Sequence, residues 1–249
     1  MLQHSFIHIQ GVGPVTEERL WHDGILTWDD FMSAGRTLLG PGRDILARRE
    51  LEASQAHRDD ARYFAARLPS QETWRLFETF AARTAYLDIE TSGGLGGTDE
   101  ITVIGLYDGH AYRAFVSGHD LHDFEVAIAD YAVVVTFNGT CFDLPFIRRQ
   151  LRHVSLPAAH IDLRFLLRRL GFKGGLKRIE TDLEIRRDTA VEGLSGYDAV
   201  LLWRAHQWGD PKALERLIAY NREDTVNLEI LMRMAFQAMK RRLLLPHLT

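Results

Sequence analysis

The stretch TAYLDIETSG, residues 84–93, decides how the rest of the chain is read. Tyr86, Leu87 and Ile89 are strand formers, yet Asp88 and Glu90 stand among them. On a strand, residues two apart project to one face, so the two carboxylates lie side by side. Burying unpaired carboxylates is expensive. A divalent cation is the simplest compensation, and a strand-end pair facing water is the alternative that this stretch alone leaves open.

Outward from this strand the pattern is that of an α/β domain. EITVIGLYDG (100–109) and HAYRAFVSG (110–118) predict two further strands joined at Asp108-Gly109. A helix is expected over 121–131, and AVVVTFNG (132–139) reads as a strand buried on both faces. A helix over 144–154, a short strand near 160–163 and a helical run to Leu170 follow. Gly171, Gly174 and Gly175 break the pattern, and helices resume near Ser195 and over 211–239. Hairpin strands followed by β–α units predict a mixed sheet flanked by helices. Upstream, Gly11-Val12-Gly13-Pro14 marks a turn, Thr16 is a candidate helix cap, and Gly24 ends that helix. Thr27 or Asp29 starts the next. A polar helical pattern covers 43–67, and Ser70 is expected to cap a helix over QETWRLFETFAA. The chain divides into a small helical unit (1–40), a helical connecting arm (41–80) and a main domain (81–249).

The composition is that of a water-soluble globular protein, 46% hydrophobic and 26% charged over 249 residues. The lone cysteine, Cys141, excludes an internal disulfide and fits a reducing compartment. The start, MLQHSFIHIQG, lacks the basic and apolar regions of a secretion leader, and no apolar run approaches a membrane span. A cytoplasmic protein without membrane contact is expected. The net charge of −4 hides an asymmetry: between Arg148 and Arg187 there are 11 Lys/Arg against 4 Asp/Glu. Such a segment either binds a polyanion or is a solvated helix surface.

Two later stretches give Asp88 and Glu90 company. FNGTCFDLPF (137–146) follows the apolar strand and places Asp143 in the first turn of a helix, as a cap, a metal ligand or both. AYNREDTVNLEIL (219–231) puts Tyr220 and Asp224 four apart, on one helical face. Asn221, Arg222, Glu223 and Asn227 read as surface or local packing groups.

Taken together, Asp88-Ile89-Glu90-Thr91, Asn138-Gly139-Thr140-Cys141-Phe142-Asp143 and Tyr220-Asn221-Arg222-Glu223-Asp224 resemble the three motifs of the DEDD 3′–5′ exonucleases, over roughly residues 84–239. The tyrosine variant is the one resembled, because Ala219 stands where the other variant has histidine. The resemblance implies an RNase H-like fold with a five-stranded mixed sheet. It implies that Asp88, Glu90, Asp143 and Asp224 bind two Mg²⁺ or Mn²⁺ ions and that Tyr220 orients the attacking water. It further implies single-stranded DNA or RNA as substrate, degraded from its 3′ end to nucleoside 5′-monophosphates. Thr91, Asn138, Gly139 and Phe142 are then candidates for contact with the terminal nucleotide, Phe142 reading equally as a core residue, and Lys177 is a candidate for an upstream phosphate. A binding protein with a vestigial site and a structure-specific endonuclease are the alternatives. IQGVGPVTEERLWHDGILTWDDF (9–31) resembles a helix-hairpin-helix motif, which makes Gly11 and Gly13 candidate phosphate contacts. The unit has few cations, Arg19 standing against Glu17, Glu18, Asp23, Asp29 and Asp30, so a protein-contact or packing role is the alternative. His4 and His8 are read as ordinary surface or strand residues.

Overall fold

The computed structural model describes residues 1–94 and 98–247, so the expected domain end at Thr249 lies outside the described residues. Helix α1 (Pro14–His22) starts one turn earlier than a Thr16 cap implies. Gly13 is its cap and Pro14 takes the first helical position, where a missing N–H is harmless. Gly24, at φ +82°, closes the helix: its N–H bonds Trp21 O and that of Ile25 bonds Leu20 O. Thr27 and Asp30 form a reciprocal capping box on α2 (Trp28–Ser33). The pattern expected over 43–67 is two helices, α3 (Pro41–Ala56) and α4 (Ala61–Ala65), because Asp60 caps the second. After Ser70 the chain winds as a 3-10 helix (Ser70–Leu76) before the single turn α5 (Phe77–Phe80). Thr73, Trp74, Arg75, Leu76 and Phe77 are all buried, so the chain is covered on every side where one passes into the other.

The main domain is a five-stranded sheet flanked by helices. Strands β1 (Thr84–Thr91), β2 (Ile101–Tyr107), β3 (Tyr112–Val116), β4 (Val133–Thr136) and β5 (Ala159–Asp162) lie in the order β3-β2-β1-β4-β5. The two hairpin-linked pairs are antiparallel and the β1–β4 and β4–β5 pairs are parallel. Ala85, Leu87 and Ile89 face α6 (Asp123–Ile128) and α7 (Asp143–Gln150), packing with Phe124, Ile128 and Ile147. The opposite face receives α8 (Leu163–Arg169), the short α9 (Leu176–Asp182), α10 (Gly196–Gln207) and the long α11 (Pro211–Leu244). Trp203 packs into this layer, whereas Trp208 stands 88% exposed just past α10.

The amino-terminal helices share one apolar core with the sheet: Phe6, Leu20, Trp28, Leu51 and Trp74 are continuous with Leu163, Leu231 and Phe236. His8 belongs to it. It is 4% exposed, packs tilted against Trp28 and edge-on to Phe64, and shares a hydrogen bond with Ser54 Oγ, which corrects its reading as a surface or strand residue. No helix among the described residues is long and apolar enough to cross a membrane.

Candidate active site

β1 outruns its parallel neighbour. It pairs with β4 only from Thr84 to Tyr86, while its pairing with β2 continues past Glu90. Beyond Tyr86 its other edge has no strand partner among the described residues, and Asp143 at the start of α7 fills the gap: its Oδ1 accepts the N–H of Ile89 at 3.2 Å. Asp88 and Glu90 point from this splayed end towards α11. That helix brings Asp224, and one oxygen from each of Asp88, Glu90 and Asp224 lies within 4.8 Å of the others. Asp143 stands beside this trio rather than within it. Glu90, Asp143 and Asp224 are buried and Asp88 is partly open.

Such crowding raises the carboxyls' affinity for protons. Burial, then repulsion from Asp224, Glu90 and Asp143, pushes Asp88 well above the usual carboxylate range. Burial and Asp224 do the same to Glu90. Asp143 is pushed up to about 7, chiefly by burial. Two cations border the trio. Arg187, between α9 and α10, ion-pairs with Asp224 at 2.5 Å and Glu180 at 2.6 Å. Burial opposes its charge, but Asp224 and Glu180 more than offset that. Lys177 on α9 donates to the carbonyl of Leu194 and, at 2.6 Å, to the Tyr220 hydroxyl. Burial, then Asp224, Glu90 and Asp88, keeps the Tyr220 phenol protonated. Among the described residues five carboxylates, Glu180 included, face these two cations, and the surplus is of hard oxygen ligands. These residues fit a hard divalent cation. A cavity of about 270 Å³ opens onto Asp88 and Asp224 between Phe137, Gly175, Lys177 and Tyr220.

The residue pattern of the RNase H superfamily matches residues 85–236 of this chain, from β1 through most of α11. The chain belongs to the RNase H superfamily. No curated protein matches it in sequence. Among solved structures, it is similar to the family B DNA polymerase of the hyperthermophilic archaeon Pyrobaculum calidifontis (17% identity, TM-score 0.48, 65% of this chain and 24% of the polymerase). It thus spans about a quarter of that polymerase. It is also similar to the Nibbler EXO domain of Aedes aegypti (13%, 0.46, 68% of this chain and 85% of that domain). A third likeness is to a nuclease in its apo form (20%, 0.47, 70% and 79%).

In this RNase H-like domain the other expected contacts surround the trio unevenly. Thr91 closes β1, beyond a register shift after Glu90. Asn138, at φ +67°, and Gly139 follow β4. Gly139 is needed there, because a Cβ would meet Thr136 Oγ1 at 2.2 Å. Phe142 is 38% exposed and packs on Phe146, so it is available to a ligand and is not a core residue. Gly11 and Gly13 lie at the α1 turn, in the amino-terminal unit rather than among these groups. The Gly11 carbonyl accepts from Arg43 at 2.5 Å. A larger groove of about 650 Å³ runs along β5 and meets this loop at Thr140 and Asp162.

Sequence reasoning passed over four residues of this RNase H-like site. Asp162 fixes the 138–140 loop, accepting the N–H groups of Asn138 at 2.8 Å and Thr140 at 3.0 Å. Arg187 and Glu180 carry no motif, and only their place in the basic segment drew notice. Asn221, read as a surface or packing group, is fully buried against Asp88 and Glu90. Its neighbour Tyr220 was the only signal that could have drawn attention to it.

Proposed function

We propose that this chain is a metal-dependent 3′–5′ exonuclease of the DEDD type, in its tyrosine variant, hydrolysing single-stranded DNA or RNA to nucleoside 5′-monophosphates. The observation that carries the reading is the convergence of Asp88, Glu90 and Asp224 beside Asp143, with the Tyr220 hydroxyl facing the same acids. Asp88, Glu90, Asp143 and Asp224 are the groups to hold two Mg²⁺ or Mn²⁺ ions. Bound there, the ions supply Lewis acidity for in-line displacement at phosphorus. Lys177 donates to the Tyr220 oxygen, so the phenol proton is left for another acceptor, and Tyr220 orients the attacking water. Lys177 also supplies positive charge where a phosphate would approach. Thr91, Asn138, Gly139 and Phe142 receive the terminal nucleotide, with Phe142 offering a stacking face. The helix-hairpin-helix-like unit contributes Gly11 and Gly13 as a remote phosphate contact, and the cytoplasm, where Cys141 stays reduced, is the proposed location.

Labelled DNA and RNA, each with a free or blocked 3′ end, incubated with Mn²⁺ or EDTA, test this reading. Stepwise shortening of free 3′ ends in Mn²⁺ alone is expected. Asp88→Ala should lower the rate on the order of 10²–10³-fold, the scale of removing one charge-stabilising group. Full activity of that variant would falsify the assignment.

A further inference from the structure

Asn221 sits where a polar side chain needs an explanation. It is 0% exposed, one residue from Tyr220 on α11, and it faces the carboxylate pair of β1. Its Nδ2 donates to Asp88 Oδ2 at 3.0 Å, to the Asp88 carbonyl at 3.3 Å and to Glu90 Oε1 at 3.4 Å. The amide nitrogen is the end that faces the two carboxylates, which is the arrangement the ionised, metal-binding form of the pair requires, since ionised carboxylates only accept. The amide oxygen is then turned away, and the Tyr112 hydroxyl donates to it at 2.9 Å. Thr225 Oγ1 donates to the Asn221 backbone carbonyl at 2.7 Å. The partner elements are shaped to admit this side chain. Gly105 of β2 lies opposite Asp88, and a Cβ there would meet Asn221 Oδ1 at 2.0 Å and Thr225 Oγ1 at 2.4 Å.

The chemistry of the amide matters. A lysine or arginine in this place would neutralise the carboxylates and compete with a metal ion. An aspartate would add a further negative charge to a site already overloaded with it. Asparagine is neutral and reaches both carboxylates at once, leaving their remaining lone pairs for a cation. It orders the pair without discharging it. We propose that Asn221, oriented by Tyr112, is a positioning residue that holds Asp88 and Glu90 in metal-binding register before an ion arrives. The inference rests on the metal-dependent reading above and assigns to these two residues the preorganisation of its first two ligands.

Calorimetric titration of the full chain with Mn²⁺ alone tests it, comparing wild type, Asn221→Ala, Tyr112→Phe and Asp88→Asn. Outer partners of metal ligands typically contribute about 10–100-fold in affinity. Asn221→Ala and Tyr112→Phe are therefore expected to bind Mn²⁺ about 10-fold or more weakly, with wild-type circular dichroism. Raised Mn²⁺ should restore turnover by Tyr112→Phe, a rescue that a purely structural defect would not show. Tyr112→Phe removes one hydroxyl and keeps the ring, so it decides the matter if Asn221→Ala does not fold. Wild-type Mn²⁺ affinity in Tyr112→Phe, together with weakened binding by Asp88→Asn, would overturn the positioning role and leave the nuclease reading standing. A wild-type chain that binds no Mn²⁺ would overturn both.

Discussion

Asp143 differs from its three acidic companions in what holds it. Its Oδ1 is spent on the Ile89 N–H, so it is tied to the strand that carries Asp88 and Glu90. Burial raises its carboxyl from the usual 3.8 to about 7, against the pull of that hydrogen bond. In metal-free protein the folded state therefore keeps a proton that the unfolded chain has lost between those two values. The sign follows: stability from this group is full below about pH 4 and is lost as pH rises through about 7. Asp143→Asn keeps an oxygen for Ile89 and removes the charge. Each tenfold change in proton affinity is worth ~1.4 kcal/mol. Urea unfolding in EDTA should therefore show the variant more stable than wild type at pH 8, on the order of 2–4 kcal/mol. The difference should vanish near pH 4. A variant less stable than wild type at pH 8 would mean that the buried charge is already compensated.

The sheet was legible because its strands announce themselves locally, by alternation and by the Asp108-Gly109 turn, where Asp108 Oδ1 accepts the N–H groups of His110 and Ala111. The metal-ligand candidates were legible because Asp88 and Glu90 share one strand face and Tyr220 and Asp224 one helix face. What could not be read depends on neighbours remote in sequence. The segment after Ser70 is buried on every side, so no apolar periodicity marks its 3-10 winding. Helix α9 was hidden because the glycines before it ended the pattern and its polar residues, Lys177 and Glu180, look like surface. That Asn221 reaches Asp88 and Glu90 is not legible, because these partners on β1 lie 133 and 131 residues upstream. Gly105 was silent for the same reason: it marks where β2 meets α11. Gly105→Ala should force these elements apart at a cost of about 1–3 kcal/mol, the usual range for overpacking. Because the displaced groups are Asn221 and Thr225, activity should fall with stability. A thermal melt matching wild type would show that α11 has slack at this crossing.

The amino-terminal unit is joined to the rest by charge as well as by apolar packing. Arg75 is nearly inaccessible, and its guanidinium reaches Glu17 of α1 at 2.9 Å, Ser5 Oγ at 2.9 Å and Glu72 at 2.8 Å. Glu17 in turn accepts the N–H groups of Phe6 at 2.6 Å and Ile7 at 3.3 Å. Glu17 therefore does not belong with the surface acids that weigh against nucleic-acid contact by this unit, because it is buried and paired. Burial raises its carboxyl while Arg75 and the two backbone groups pull the other way. Removing one partner of a buried pair leaves an uncompensated charge, a loss of about 3–5 kcal/mol. Arg75→Met keeps an apolar stem against Trp21 and Trp74 and removes the cation. Without it Glu17 binds a proton more tightly in the folded state, so the loss should be largest near pH 8 and shrink as pH falls towards 5. Adding Glu17→Gln removes the orphaned charge but keeps an acceptor for Phe6 and Ile7. The double variant should thus recover part of the stability that Arg75→Met loses. Urea unfolding of the four proteins at both pH values measures the coupling directly. Additive losses would mean that the two side chains stabilise the junction independently, through packing rather than through their pairing.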